Sequence, residues 1–330
     1  MADLFADLIG QERAVSLLSP ALERGRLAPA YLFAGAEGVG RRLAALRFLE
    51  GVVAGPAGQR GLRRRLEQGN HPDLLWVEPT YSHQGRLVPL SQAGEEGVSR
   101  RSPPQLRLEQ VRELSRFLAR RPVEAPSCLV VVDGAEAMAE AAANALLKTL
   151  EEPGDGLLIL ITAAPEQLLS TIRSRCQLIP FVRLAPSQVE QVLAGLPPAE
   201  EMAGDTPGES GAVAVVDTPE LLELAAGSPG GLLEHRRHWR ELPDGLAPRL
   251  LQLGSDPLEA LALARDLSEA LDGEQQLWLL NWWQLALWRR QPDAAALRRL
   301  ERLRAHLRAH VQPRLAWEVA LLDLAGVARA

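Results

Sequence analysis

Lysine is almost missing from this chain of 330 residues: Lys148 is the only one, so nearly all of the 36 cationic side chains are arginine. Coding composition accounts for that bias, and its consequence is narrow: lysine-dependent chemistry has a single candidate. Cysteine is nearly as scarce. Cys128 and Cys176 exclude a disulfide framework and a cysteine zinc site by number alone, and both read as small core hydrophobes. The start, MADLFADLIGQERAV, lacks a basic and then apolar leader, and no apolar run reaches the length of a bilayer span. A soluble protein of a reducing cytoplasm, with no membrane partner, is expected. Excess positive charge is lacking too: the net charge of −6 argues against coating nucleic acid or membrane by bulk attraction.

What is present is apolar residue enough, 47%, to bury more than one core, and the length predicts two or three domains. A helix over Gln11–Arg24 broken by Gly25 leads to a buried strand, AYLFAG, then to the glycine loop GAEGVGRR and a helix over Arg41–Val53. Two further short, β-rich runs, Leu129–Asp133 and Leu157–Thr162, bracket a long helix, and Leu74–Val77 reads as another strand. Strands that end where helix patterns begin predict a parallel sheet covered on both faces. Between them, Leu108, Val111, Leu114 and Leu118 recur at helical spacing, whereas Thr80–Pro104 shows no sustained period and reads as an exposed loop. After Phe181 the pattern is helical. The predicted domains are an α/β domain over 1–183, a small helical domain over 184–240 around a GSPGG break, and an all-helical domain over 241–330. Trp278, Trp282 and Trp283 cluster in the last, where packing is the simplest role.

Candidate chemistry falls at the strand ends, where open α/β sheets bind ligands. Gly35 and Gly40 have the spacing of the phosphate loop G-x-x-x-x-G-K-[ST], with Gly38 between them. Such a loop cradles phosphates on backbone amides at a helix start, while its lysine reaches the terminal phosphates and its hydroxyl holds Mg²⁺. Here those two positions are Arg41 and Arg42. A planar fork is not a conservative replacement for an ammonium, and Arg42 brings a cation to where Mg²⁺ belongs. Asp133 would hold the metal, yet the acid normally following it is Gly134. Glu136, early in a helix, reads as a cap. Departures at three parts of one mechanism make hydrolysis by this chain an unfavourable reading, although a bound anion would relieve the arginine pair.

The runs GNHPDL, AANALLKTLEEP, and ILIT followed by TIRSRCQ together resemble the delta-prime subunits of bacterial DNA polymerase III clamp loaders, a family of AAA+ proteins. The resemblance implies a P-loop-type α/β AAA+ domain with a parallel five-stranded sheet, a small helical lid and a helical collar that joins a hetero-pentamer. It implies motor subunits and a delta subunit as partners, with the sliding clamp and primed DNA reached through the complex. It also implies a silent nucleotide site, so no cofactor, neither zinc nor ATP, is expected on this chain. The family's arginine finger maps onto Arg175, flanked by Ser174 and Cys176, and would act on a neighbour's ATP. Thr162 maps to the end of the sensor strand. On the residues alone an arginine so placed is by default a surface ion pair; the resemblance favours the finger, and Arg173 ranks below it. The sequence departs from the family in two places. Relatives often carry a four-cysteine zinc module between the phosphate loop and the NHPD run, whereas Glu50–Gly69 has no cysteine, so Leu62–Gln68 is expected as a metal-free helix. The lid arginine of ATP-binding relatives is replaced by Gly231–Leu232.

Lesser candidates remain. His306 and His310, like His235 and His238, lack the further ligands of a recognisable metal motif, so no metal site is expected. Glu151 and Glu152 end a helix against its dipole, where water or a basic partner would offset them, and Lys148 has Glu152 at i+4. The competing functional reading is a self-contained P-loop ATPase with an atypical GRR loop; a third is a subunit that supports assembly only.

Overall fold

Short apolar runs, rich in Val, Ile and Leu, form the centre of the chain. The computed structural model describes residues 4–55, 57–83, 85–94, 96–98, 103–152, 154–196, 217–309 and 311–326, with residue 60 described by its backbone. The strands are β1 (Ala30–Ala34), β2 (Leu74–Val77), β3 (Thr80–His83), β4 (Arg86–Pro89), β5 (Leu129–Asp133), β6 (Leu157–Thr162) and β7 (Gln177–Pro180). Five of them make a parallel sheet in the order β2-β5-β6-β1-β7. In the register, Phe33 of β1 lies between Ile161 and Ile179, and Val131 of β5 between Trp76 and Ile159. The C-terminal ends of β1, β5 and β6 therefore reach one edge together, carrying Gly35, Asp133 and Thr162.

The period of two along each strand divides the core into two faces. Leu32, Val130, Val132, Leu158 and Leu160 share one cluster with Val111, Leu114 and Leu118 of the helix Leu108–Leu118 and with Leu146 and Leu150 of the helix Glu140–Glu151. Tyr31 and Phe33 point the other way, onto Phe48 of the helix Arg41–Ala54, at ring distances of 4.9 and 6.5 Å. Each fully buried Leu or Phe contributes about 1.5–3 kcal/mol, which is why these runs fix the sheet despite their brevity.

The expected structureless loop at 80–104 is corrected by the structure. β3 and β4 form an antiparallel hairpin, and Tyr81, Val88, Ala93 and Val98 make a small core of their own. Backbone hydrogen bonds in both directions between Thr80 and Gln105 close its neck. Strands of four residues are too short for an alternating pattern to stand out from the polar, Gly-containing sequence around them.

The cysteine-free interval carries the helix Arg60–Glu67, beginning slightly earlier than predicted. Ion pairs attach it. Arg47 is almost fully buried and bonds Asp7 and Glu67, at 2.6 and 2.8 Å. The buried Glu50 takes Arg63 at 2.7 Å and the backbone N–H of Gln59 at 2.8 Å. Asp73 of the NHPD run is likewise buried and accepts the backbone N–H groups of Val123, Glu124 and Ala125.

Two compact units divide the chain: Met1–Ala203 with Gly227–Gly230, and Gly204–Ala226 with Gly231–Ala330. Of the small domain expected over 184–240, Pro186–Ala194 and Gly227–Gly230 fall in the first unit and Pro219–Ala225 in the second. The described part of the second unit is helical. Thr218, Asp256, Asp272 and Asp293 each cap a helix start with a side-chain oxygen. Its core holds Trp283 and Trp317, whose indole N–H groups donate to the Leu250 carbonyl and to Gln276; Trp278 and Trp282 are buried as well. Packing is thus the role these indoles play. Among the described residues no helix is long and apolar enough to cross a membrane.

Candidate functional site

The glycine loop after β1 keeps the shape of a phosphate loop and fills it with its own cations. Gly38 and Gly40 take left-handed backbone angles, and Arg41 opens the helix Arg41–Ala54. The Arg41 side chain is 8% exposed, and its Nη1 is sealed from water without a hydrogen-bond partner among the described residues. Burial pushes its pKa down, opposed by the charges of Asp133, Glu136 and Glu37. Arg42 Nε stands 3.1 Å from the Asp133 carboxylate, and its guanidinium lies 5.1 Å from the centre of the Trp76 ring. Asp133 itself is mostly buried, and burial raises its pKa against the lowering influence of Arg42 and Arg41. The carboxylate at the metal-binding position is therefore already engaged by a cation of its own chain.

The following residue, Gly134, has φ of +69°. That left-handed turn suits glycine and penalises the glutamate of a working site. Glu136 does not act as the expected cap: it lies in the 3₁₀ turn Ala135–Ala137, and its Oε1 accepts the Ala163 N–H at 3.0 Å, tying the end of β5 to the end of β6. Thr162 is fully buried, and its hydroxyl accepts the Ala164 N–H at 3.1 Å, so it serves its own turn. From the GSPGG run, Ser228 Oγ donates to the Glu37 carbonyl at 2.6 Å, and Gly230 N–H donates to the Gly38 carbonyl at 3.0 Å. A Cβ at Gly230 would fall 2.7 Å from Gly38 Cα, an approach that only glycine allows. Arg236, near the place where relatives have a lid arginine, is engaged by Asp217 at 2.5 Å.

The second candidate end follows β6. The helix Ser170–Arg173 stops at Ser174, whose hydroxyl donates to the Thr171 carbonyl. Arg175 extends from this turn with a side chain 36% exposed; Nη1 donates to the Thr171 carbonyl at 3.1 Å and Nη2 to Glu151 at 2.8 Å. Glu151, read from sequence as solvated or facing a basic partner, is thus the intrachain partner of Arg175. Burial pushes the Cys176 thiol up to about 12, which leaves it protonated and inert as a nucleophile. Arg173 is exposed.

A feature that sequence reasoning missed lies between the helices Leu108–Leu118 and Glu140–Glu151. It is a groove of about 590 Å³ whose lining includes Arg112, Ser115, Arg116, Lys148, Thr149 and Glu152, with the Ser115 and Thr149 hydroxyls 2.7 Å apart. Lys148 is exposed there, and among the described residues it forms no ion pair with Glu152. The two helices are separated in sequence, so spacing within either one gave no signal. Of the histidine pairs, His235 Nδ1 accepts the Trp278 indole N–H at 3.1 Å, His306 is exposed, and His310 lies outside the described residues.

Comparisons with known proteins agree with this layout. Residues 188–324 match the C-terminal domain of cyanobacterial DNA polymerase III delta prime, and residues 10–185, more than half the chain, match the family described as DNA polymerase III, delta subunit. The DNA polymerase III subunit delta' of Bacillus subtilis is 34% identical over 189 residues, 56% of this chain and 51% of that protein. That of Pseudomonas aeruginosa is 34% identical over 215 residues, 62% of this chain and 55% of its own length. The tau/gamma subunit of Haemophilus influenzae is 30% identical over 235 residues, 69% of this chain and 29% of that protein. The chain thus spans about half the length of the delta-prime relatives it matches. In fold, it resembles the crystal structure of a DNA polymerase III gamma subunit-related protein from Thermotoga maritima, with a TM-score of 0.50 at 16% identity over 95% of this chain and 99% of that one. The fold is of the AAA+ type, a five-stranded parallel α/β domain followed by a helical region. On its two family matches and its delta-prime relatives, the chain belongs to the delta-prime family of DNA polymerase III clamp-loader subunits.

Proposed function

We propose that this chain is a non-catalytic subunit of a cytoplasmic clamp loader in DNA replication. It works as a stator that lends Arg175 to the ATP of a neighbouring motor subunit while the sliding clamp is loaded onto primed DNA. The observation that carries the non-catalytic half is the Arg42–Asp133 ion pair at 3.1 Å. Mg²⁺ would have to displace a tethered cation from its own ligand, and no lysine is at hand to replace it on the phosphates. Gly134 in place of an acid leaves an attacking water without a polarising partner.

Arg175 supports the other half by chemistry and by exposure. A guanidinium has five donors in a fixed fork; here one goes to a backbone carbonyl and one to the exposed Glu151. An exposed pair of that kind is worth about 0–1 kcal/mol, so exchange onto a γ-phosphate is energetically accessible. An arginine supplied in trans neutralises charge on the transferring phosphoryl group and is worth about 10³–10⁵ in rate. The partners on this reading are motor subunits and a delta subunit in a hetero-pentamer.

The test replaces Arg175 with alanine in a complex reconstituted with its motor subunits. ATPase and clamp loading should fall while the complex stays assembled by gel filtration. Unchanged turnover in an intact complex would leave the chain an assembly subunit without a finger. The rival reading, a self-contained ATPase, requires the purified chain alone to bind and turn over ATP–Mg²⁺, and we expect no turnover.

A further inference from the structure

The groove between the helices Leu108–Leu118 and Glu140–Glu151 has no part in the clamp-loader reading. It lies within the first unit, and its volume of about 590 Å³ is within the range of ligand sites. Arg112 and Arg116 line it from the first helix and Lys148 from the second. All three side chains are exposed, and among the described residues none of them has an ion pair. Arg116 Nε donates to the Arg112 carbonyl at 3.2 Å, which leaves the rest of its fork open. Glu152 is the one acid in the lining among the described residues. The groove is therefore positive in a chain whose net charge is −6. Leu108, Leu118 and Ala145 add apolar surface between the cations.

The two hydroxyls in the groove discriminate between kinds of anion. Ser115 Oγ donates its single proton to the Val111 carbonyl at 2.8 Å. In the 2.7 Å contact between Ser115 and Thr149, the donor is therefore Thr149. Both protons are used inside the protein, and the lone pairs left on Thr149 Oγ1 can only accept. A phosphodiester backbone offers oxygen acceptors to the cations but no donor to that oxygen. Nor does any aromatic side chain line the groove, among the described residues, on which a base could stack. An acidic peptide brings all the complementary parts: carboxylates for the cations, a backbone N–H for the Thr149 oxygen and apolar side chains for the leucines.

We infer that this groove is a docking site for an extended acidic peptide segment of another protein, held by its carboxylates on Arg112, Arg116 and Lys148. Arg112 and Arg116 are one turn apart, about 6 Å along the helix axis. Alternate side chains of an extended peptide are about 6.6 Å apart, so carboxylates two residues apart can each meet an arginine. Arginine suits that role, because its planar fork can take a carboxylate through two hydrogen bonds. Unpaired cations also steer an acidic partner to this face before contact is made.

The test uses the full chain and a fluorescein-labelled peptide of alternating glutamate and leucine, read by fluorescence anisotropy. The peptide should bind, and its counterpart with glutamine for glutamate should bind at least about tenfold more weakly. Lys148→Glu and Arg112→Glu replace attraction by repulsion at exposed positions, and each should weaken binding about fivefold or more. Lys148→Gln should lose less than Lys148→Glu, a grading by charge that loss of packing would not give. Added salt should weaken the complex as well. The proposal is overturned if the acidic peptide does not bind, if the glutamine peptide binds as tightly, or if Lys148→Glu leaves binding unchanged. It is equally overturned if single-stranded oligothymidylate displaces the peptide and binds more tightly, which would make the groove a nucleic-acid site. All of these outcomes are read without a motor subunit, so none depends on the role of Arg175.

Discussion

At the phosphate loop, Arg42 leans on Asp133 of its own chain and Arg41 is buried behind it; beyond β6, Arg175 stands half out of the surface on the exposed Glu151. The side-chain chemistry is the same at both ends, and the surroundings decide what it does. At the loop, the partner carboxylate is mostly buried, the GSPGG turn rests on Gly38 and Arg41 is buried, although Arg42 itself is exposed. At the other end the partner is exposed, and the guanidinium remains exchangeable. One end of the sheet thus carries an arginine held on a mostly buried carboxylate, and another carries an arginine held on an exposed one.

The largest expected effect breaks the comparison outright. Arg175→Ala should lower the ATPase of the neighbouring site in a reconstituted complex by about 10³-fold or more, yet cost the isolated chain less than about 1 kcal/mol. Arg41 and Arg42 changed together should leave that ATPase unaltered. A fall of similar size from the loop arginines, measured in the same assay, would mean the two ends are not separate.

Framework residues should show the opposite signature, stability without activity. Asp73→Asn removes a buried carboxylate that holds three backbone N–H groups, at about 2–3 kcal/mol by denaturant unfolding at neutral pH. Burial alone would raise the Asp73 pKa, but the three N–H donors and His71 outweigh it and the net shift is downward. Its contribution is therefore present above the unfolded value of 3.8 and lost as pH falls through the lower folded value. Asp133 is shifted upward, so its contribution has the reverse sign: largest at low pH and lost as pH rises through the folded value. In unfolding free energies measured from about pH 3 to 6, Asp73→Asn should flatten the acid limb and Asp133→Asn should steepen it. Equal slopes would show that the two aspartates do not differ as the structure places them.

Gly230→Ala sharpens the loop side, since the new methyl would meet Gly38 Cα at 2.7 Å. A loss of about 1–3 kcal/mol is expected from such overpacking, and an unchanged Tm would mean that the GSPGG turn does not rest on the loop in solution. The smallest effect should come from Arg42→Ala. Arg42 is 61% exposed, so the pair contributes about 1 kcal/mol or less, read as a small shift in thermal unfolding.

Much of this was legible before the fold was known, and for particular reasons. Leu129–Asp133 and Leu157–Thr162 announced themselves because strands buried on both faces are continuous apolar runs. Arg41, Arg42 and Gly134 stood out because a phosphate loop prescribes its residue types by position. The hairpin β3–β4 was missed, since four-residue strands carry too little alternation to be seen. The partner of Arg175 was missed as well: Glu151 meets it only because the helix Glu140–Glu151 and the turn after Ser170–Arg173 come together in space. The same limit hid the Arg47–Glu67 tether, whose members sit on different helices.

The scarcity of lysine has a practical side. Lys148 is exposed in the groove between the helices Leu108–Leu118 and Glu140–Glu151, and it is the chain's only side-chain amine. An amine-reactive dye or cross-linker, applied under conditions that spare the amino terminus, would mark that groove and no other surface. Protection of the mark on assembly would report directly which way this face of the α/β domain is turned.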